Sequence, residues 1–311
     1  MRLNRLKRRY KEFGFGNTTI GNNHRIINKD GTFNIRRVGL NFFERFSIFH
    51  FMINTKWWAF ISLVVMGYFL SATCFAFIYT YLGVSHFNGV IAKDTVASFW
   101  EFFYYSTQTF ATVGYGRINP ASPTASLVSS IDALTGVLYF AIVTGMLFAR
   151  FSMPRTKILF AEKAIFTKYQ DGTALMIRIA NQLQQPLQNA SVRIIVSLMI
   201  KEQSTSRQYF ELNLERDEIV FFATSWTIVH PINEESPLYN LSNDDFESCE
   251  PELMLQLKVY DPSYNQDIFI VTSYRKEEFE WNKRYAPIMV SDPQQNYIDF
   301  SKFNLLLEES V

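Results

Sequence analysis

Two long stretches of this chain are almost free of charge. From Trp57 to Ala92 there is no Asp, Glu, Lys or Arg, and from Ile118 to Ala149 the lone charge is Asp132. Each exceeds the roughly 20 apolar residues that a helix needs to cross a bilayer. The pattern predicts two spans, Trp57 to Leu82 and Leu127 to Phe151, with a re-entrant segment between them. In that segment Thr95 to Phe110 is rich in aromatics and charged only at Glu101, which predicts a half-membrane helix. Upstream, Phe42, Phe43, Phe46, Phe49 and Ile53 recur at three- and four-residue spacing opposite Glu44, Arg45 and Ser47. That stripe predicts an amphipathic slide helix over residues 41–56 on the membrane surface, the alternative being a soluble core helix.

After Pro154 the period shortens to two. Ala174 to Ala180, Ser191 to Ile200, Gln208 to Leu214, Glu218 to Trp226, Glu252 to Tyr260 and Ile268 to Tyr274 read as strands, parted by turn signals such as Asp171-Gly172 and Asp261-Pro262. Short strands at this spacing predict an antiparallel, immunoglobulin-like β-sandwich. The chain therefore divides into a basic arm (1–40), the slide helix (41–56), a transmembrane helical pore domain (57–153) and an all-β domain (154–311).

Charge sets the orientation. Residues 1–56 hold twelve Lys and Arg, whereas the segment joining the spans holds only Lys93 and Arg117. Basic residues favour the inner side, so both termini face the cytoplasm. From Arg150 onward sixteen basic residues meet twenty-three acidic ones, a surplus that suits the wall of a cation pathway or an ordinary acidic surface. Cys74 and Cys249 are not placed for a stable disulfide. The histidines at 24, 50, 86 and 230 are scattered, with no metal-ligand spacing and no nucleophile motif, which argues against an enzyme. No Gly-rich strand-to-helix fingerprint follows Pro154, which argues against a nucleotide-binding domain.

The run Thr112-Val113-Gly114-Tyr115-Gly116 directly follows the half-membrane helix. Four TVGYG segments about one axis form the potassium filter, replacing the ion's water with rings of backbone carbonyls. Glycine at 114 and 116 permits backbone angles that a side chain penalises. The carboxyl end of the preceding helix points at this run, where a helix dipole favours a cation. Asp132 is an intramembrane carboxylate and so a functional candidate; a structural role as partner of pore-helix groups such as Gln108 is the other reading.

With two spans, one filter and a β-sandwich, the chain resembles the inward-rectifier potassium channels, most closely the prokaryotic KirBac group. The likeness rests also on Asp30 to Arg37 (DGTFNIRR), Thr107 to Gly116 (TQTFATVGYG), Ala149 to Pro154 (ARFSMP), Ser225 to Ile232 (SWTIVHPI) and Ser236 to Tyr239 (SPLY). It implies a homotetramer in a bacterial inner membrane, K⁺ ions in the filter, no organic cofactor and no nucleic-acid partner. In similar channels Phe140, Thr144 and Phe148 face the pore, Phe140 and Phe148 narrowing it; unaligned, such a stripe also suits lipid or core. Gly136 and Gly145 match bending positions, although glycine is common wherever membrane helices pack. Arg36, Arg37, Arg150, Arg155 and Lys157 resemble the family's cluster for anionic lipid, phosphoinositide included; positive-inside anchoring explains them as well. Tyr260 to Gln266 resembles the loop ringing the cytoplasmic pore entrance. Two departures stand out: Phe140 replaces the acid of strong rectifiers, and Gln108 replaces a glutamate whose ion pair lies behind the filter. A membrane-anchored ligand-binding β-sandwich sensor leaves TVGYG unexplained. A potassium channel gated by another cytoplasmic ligand is the nearer alternative.

Overall fold

The computed structural model describes residues 25–36, 38–39, 41, 47–154, 157–199, 207–291 and 296–309. The chain forms two compact units, one of Val38–Met153 and one joining Met1–Arg37 to Pro154–Val311.

In the first unit, short helix α1 (Ile48–Asn54) begins where the Ser47 side chain accepts the His50 N–H. Of the slide-helix stripe, Phe42, Phe43 and Phe46 lie outside the described residues. Helix α2 (Trp57–Leu82) is 26 residues long and ends at Gly83 with φ 91°. Helix α3 (Thr95–Phe110) is capped by the Asp94 carboxylate, which accepts the Ala97 N–H. At 1.5 Å per residue its 16 residues reach about 24 Å, short of a full crossing. Helix α4 (Pro123–Phe151) starts four residues earlier than its apolar pattern predicts, because Ser122 caps it and Pro123 suits the first turn. α2 and α4 are both long and apolar enough to span a bilayer. Between α2 and α3, β1 (Phe87–Asn88) pairs antiparallel with β2 (Asn119–Pro120), which follows the filter. An apolar cluster of Ala76, Tyr79, Phe87, Phe102, Tyr105, Ile118 and Ala125 holds α2, α3 and α4 together.

The second unit is a sandwich of two five-stranded sheets. One holds β6 (Leu187–Met199), β7 (Arg207–Glu211), β8 (Glu218–Phe222), β10 (Glu252–Asp261) and β11 (Gln266–Arg275). The other holds β3 (Ile158–Phe160), β4 (Ala164–Tyr169), β5 (Gly172–Asn181), β9 (Ser225–Ile232) and β12 (Phe279–Trp281). Strand alternation sends Val192, Ile194, Val196 and Leu198 of β6, and Leu253, Leu255, Leu257 and Val259 of β10, into one core with Leu175, Ile177 and Ile179 of β5. The predicted single strand Glu218 to Trp226 is two strands. A bend at Ala223 and Thr224 carries the chain from β8, paired with β6, to β9, paired with β5. Loop residues Asn213 and Ser236 fix buried His230 of β9: its Nδ1 lies 2.6 Å from the Asn213 carbonyl and its Nε2 2.8 Å from the Ser236 hydroxyl.

Residues 25–36 of the basic arm are irregular in backbone and lie against the β unit. Glu252 accepts the N–H groups of Ile26 (2.7 Å) and Ile27 (3.3 Å), the Ser273 hydroxyl donates to the Ile27 carbonyl, and Arg25 pairs with Glu278. Ile27 is buried beside Tyr209 and Met254. The segment is thus part of the β unit, held by polar contacts whose partners lie more than 200 residues away.

Candidate functional site

The last turn of α3 delivers the chain into the filter run. The Gln108 carbonyl accepts the Val113 N–H at 2.8 Å and the Gly114 N–H at 3.4 Å, and the Thr109 carbonyl accepts that of Thr112 at 3.0 Å. Left-handed φ values then alternate along the run: 56° at Thr112, 58° at Gly114 and 82° at Gly116. Alternating the hand of successive residues turns peptide planes that would otherwise face opposite ways toward one side. Glycine makes this inexpensive at two of the three positions; Thr112 adopts the angle with its N–H bonded to the Thr109 carbonyl. All five filter residues are exposed in the single chain, Tyr115 by 78%. A single copy presents one wall of a ring and cannot close it.

Around this run the membrane unit is tightly braced. The Tyr68 hydroxyl donates to the Thr107 carbonyl at 2.8 Å, and its ring meets Phe110 edge-on. Just after the filter run Arg117 lies 3.5 Å from Glu101, which also accepts the Ile91 N–H at 3.2 Å. With Gln108 in place of a carboxylate, Arg117 finds its acid two turns earlier on α3. The signal was available, since Glu101 is the lone charge on that helix. Asp132 does not pair with Gln108: it accepts hydrogen bonds from Tyr79 (2.8 Å) and Ser106 (2.9 Å).

On α4 the stripe of Phe140, Thr144 and Phe148 is exposed along one face, but its two rings differ. Phe148 is 73% exposed, whereas Phe140 is 44% exposed and leans on Tyr68, Phe110 and Tyr139. The glycines differ too. A side chain on Gly136 would strike the Phe110 backbone, whereas nothing lies within 4 Å of such an atom at Gly145.

The basic cluster is not one set. Arg36 and Lys157 are exposed, and Arg37 and Arg155 lie outside the described residues. Arg150 is 5% exposed and turned into its own unit, which corrects its place among lipid contacts. It donates to the carbonyls of Met52 (2.5 Å), Ile53 (2.7 Å) and Thr55 (2.6 Å), and its guanidinium lies 4.7 Å from the ring centres of Trp57 and Phe60. These carbonyls end α1, where an arginine fork satisfies groups that the helix leaves open. Tyr260 and Gln266 flank the β10–β11 turn, where the Tyr260 hydroxyl donates to Asn265 at 2.6 Å.

Two apolar spans, a half-membrane helix and a run of alternating backbone hand after its carboxyl end are the parts of an ion-channel pore domain. A profile described as "Ion channel" matches residues 63–153, and one described as "Inward rectifier potassium channel C-terminal domain" matches residues 158–310. Inward rectifier potassium channel Kirbac3.1 of Paramagnetospirillum magnetotacticum is 28% identical over 286 residues, covering 90% of this chain and 95% of the relative. ATP-sensitive inward rectifier potassium channel 12 of Gallus gallus is 24% identical over 328 residues and that of Mus musculus 23% over 327, each covering 95% of this chain and 75% of the relative. The chain belongs to the inward-rectifier potassium channel family, in its prokaryotic branch. It is a membrane-embedded channel and not an enzyme.

Proposed function

We propose that four copies of this chain surround one axis and conduct K⁺ selectively across a bacterial inner membrane, with both termini in the cytoplasm. Potassium is the cargo, held by carbonyls of Thr112 to Gly116 and, at the inner end, by the Thr112 hydroxyl. The alternation of hand at Thr112, Gly114 and Gly116 supports this reading most directly, because it orients the oxygens that would replace water. Closure occurs where Phe148 rings converge at the inner end of α4, with Phe140 as a second, more constrained narrowing and Gly145 as the freer bending point. Helix α1 lies along the inner leaflet, and Arg36 and Lys157 attract anionic lipid, each by on the order of 1 kcal/mol. The Tyr260 to Gln266 turn is the candidate cytoplasmic pore loop. Phe140 supplies no carboxylate to the cavity, so polyamine block is weak.

The deciding experiment is ion flux into liposomes containing the purified protein. K⁺ or Rb⁺ enters readily, Na⁺ enters poorly, and Ba²⁺ blocks. Equal Na⁺ and K⁺ permeability in protein shown to be tetrameric would overturn the reading.

A further inference from the structure

Among the described residues of the membrane unit, Asp132 is the one fully buried carboxylate, at 0% exposure. Both of its hydrogen bonds converge on a single oxygen, Oδ2, which accepts from the Tyr79 hydroxyl of α2 and the Ser106 hydroxyl of α3. Oδ1 has no hydrogen-bond partner among the described residues. Tyr79 and Ser106 are themselves fully buried. Next to them the Tyr105 hydroxyl lies 2.9 Å from that of Ser129, one turn ahead of Asp132 on α4. One oxygen of α4 therefore ties together the three helices that enclose the filter.

What this knot controls follows from where its members stand. Ser106 precedes Gln108 by two residues, and the Gln108 carbonyl holds the N–H groups of Val113 and Gly114. Gly136, four residues after Asp132 and so on the same face of α4, lies against the Phe110 backbone. The inner helix thus grips the end of the pore helix at two adjacent points, one a hydrogen bond at Ser106 and one a backbone contact at Phe110. Burying a carboxylate with half its acceptors unused is costly, a cost that packing alone does not explain.

We infer that Asp132 is a positioning residue for the ion filter, acting as a hydrogen-bond acceptor that locks the last turn of the pore helix, and through it the shape of Val113 and Gly114. This rests on the channel reading above. The role is that of an acceptor and not of a fixed negative charge: both donors use one oxygen, and an amide oxygen has the lone pairs to receive both.

The test measures K⁺ over Na⁺ preference and Ba²⁺ block in liposomes, at equal tetramer yield, for the parent, Asp132→Asn, Asp132→Leu and the double variant Tyr79→Phe/Ser106→Ala. Asp132→Asn stays within about twofold of the parent. Asp132→Leu and the double variant weaken both properties by about tenfold, the scale of losing buried hydrogen bonds. Parental selectivity and block in Asp132→Leu would overturn the inference. So would equal damage in Asp132→Asn and Asp132→Leu, which would assign the role to charge. If Asp132→Leu fails to assemble, the double variant decides: it keeps the carboxylate and nearly all the volume, and parental filter behaviour there overturns the inference. A parent that itself fails to discriminate K⁺ from Na⁺ would instead refute the proposed function, in the same assay and before any variant is read.

Discussion

The backbone of Phe110 rests directly on Gly136, so that a methyl group at 136 would overlap the Phe110 carbonyl. Here the inner helix meets the carboxyl end of the pore helix, one residue after Thr109, whose carbonyl accepts the Thr112 N–H. Gly136→Ala must push the helices apart, and overpacking of this kind costs roughly 1–3 kcal/mol. We expect it to reduce tetramer yield and flux together. Gly145→Ala, with open space around it in the subunit, retains assembly and alters only gating. Chromatographic yield followed by Rb⁺ uptake separates the two, and a well-assembled, fully active Gly136→Ala channel would contradict the contact.

Much of this arrangement was readable as a string, and the reason is dimensional. Span length and absence of charge are properties of consecutive residues, so α2 runs from Trp57 to Leu82 as its pattern predicts. Alternation over seven or more residues likewise exposed β5, β6, β10 and β11. Strands of three residues, such as β13 (Lys283–Tyr285), β14 (Met289–Ser291), β15 (Asn296–Ile298) and β16 (Leu306–Glu308), carry too little period to be recognised. Tyr79 and Asp132 are 53 positions apart and Arg150 and Thr55 are 95 apart, so only the folded packing of helices pairs them. The left-handed turn at Thr112 was hidden for a different reason: a β-branched residue seldom adopts it.

Gly114→Ala tests the filter backbone. At φ 58° an alanine pays about 1–2 kcal/mol in each subunit, and a ring of four pays it four times. Nothing lies within 4 Å of the added methyl group in its own subunit, so the fold tolerates it. We expect normal assembly with flux lost. Parental K⁺ flux would show that the filter does not need this angle.

Arg150→Lys is not a conservative change here. The planar guanidinium reaches three carbonyls at once, on Met52, Ile53 and Thr55, while stacking over Trp57 and Phe60. A single ammonium on a flexible stem cannot serve all of them. Each lost charge-assisted bond is worth roughly 1.5–3 kcal/mol. Thermal unfolding of the purified channel should begin several degrees lower for Arg150→Lys and lower again for Arg150→Leu. A lysine variant as stable as the parent would mean that the fork is dispensable.

Burial of His230 pushes its pKa below the ordinary value. The neutral ring is the folded form, so the unfolded chain binds a proton at a higher pH than the folded one does. Stability from this residue is therefore complete above the unfolded pKa, about 6.5, and is lost as pH falls from there toward the folded value. Protonation would also oblige Nε2 to donate to Ser236, whose oxygen already accepts the Leu238 N–H. We expect the difference in unfolding temperature between pH 7.5 and pH 5.5 to shrink in His230→Gln relative to the parent. The same pH slope in both proteins would remove His230 from the linkage.

Phe148 is the residue whose loss should open the pore. Its ring is 73% exposed in the subunit, so truncation removes little from the subunit's own packing. Four such rings about one axis would exclude water over about one helical turn, 5.4 Å, and an ion in that dry segment loses hydration that phenylalanine cannot replace. Phe148→Ala should therefore raise Rb⁺ uptake severalfold with K⁺ over Na⁺ preference intact, because the proposed selection site, Thr112 to Gly116, is left untouched. Phe140→Ala should behave differently. That ring leans on Phe110 and Tyr68, the braces of the pore helix, so its removal disturbs filter support as well as the passage. Uptake by Phe148→Ala equal to the parent's, at equal protein incorporated, would move the constriction elsewhere, and the turn between Tyr260 and Gln266 would be the next place to substitute.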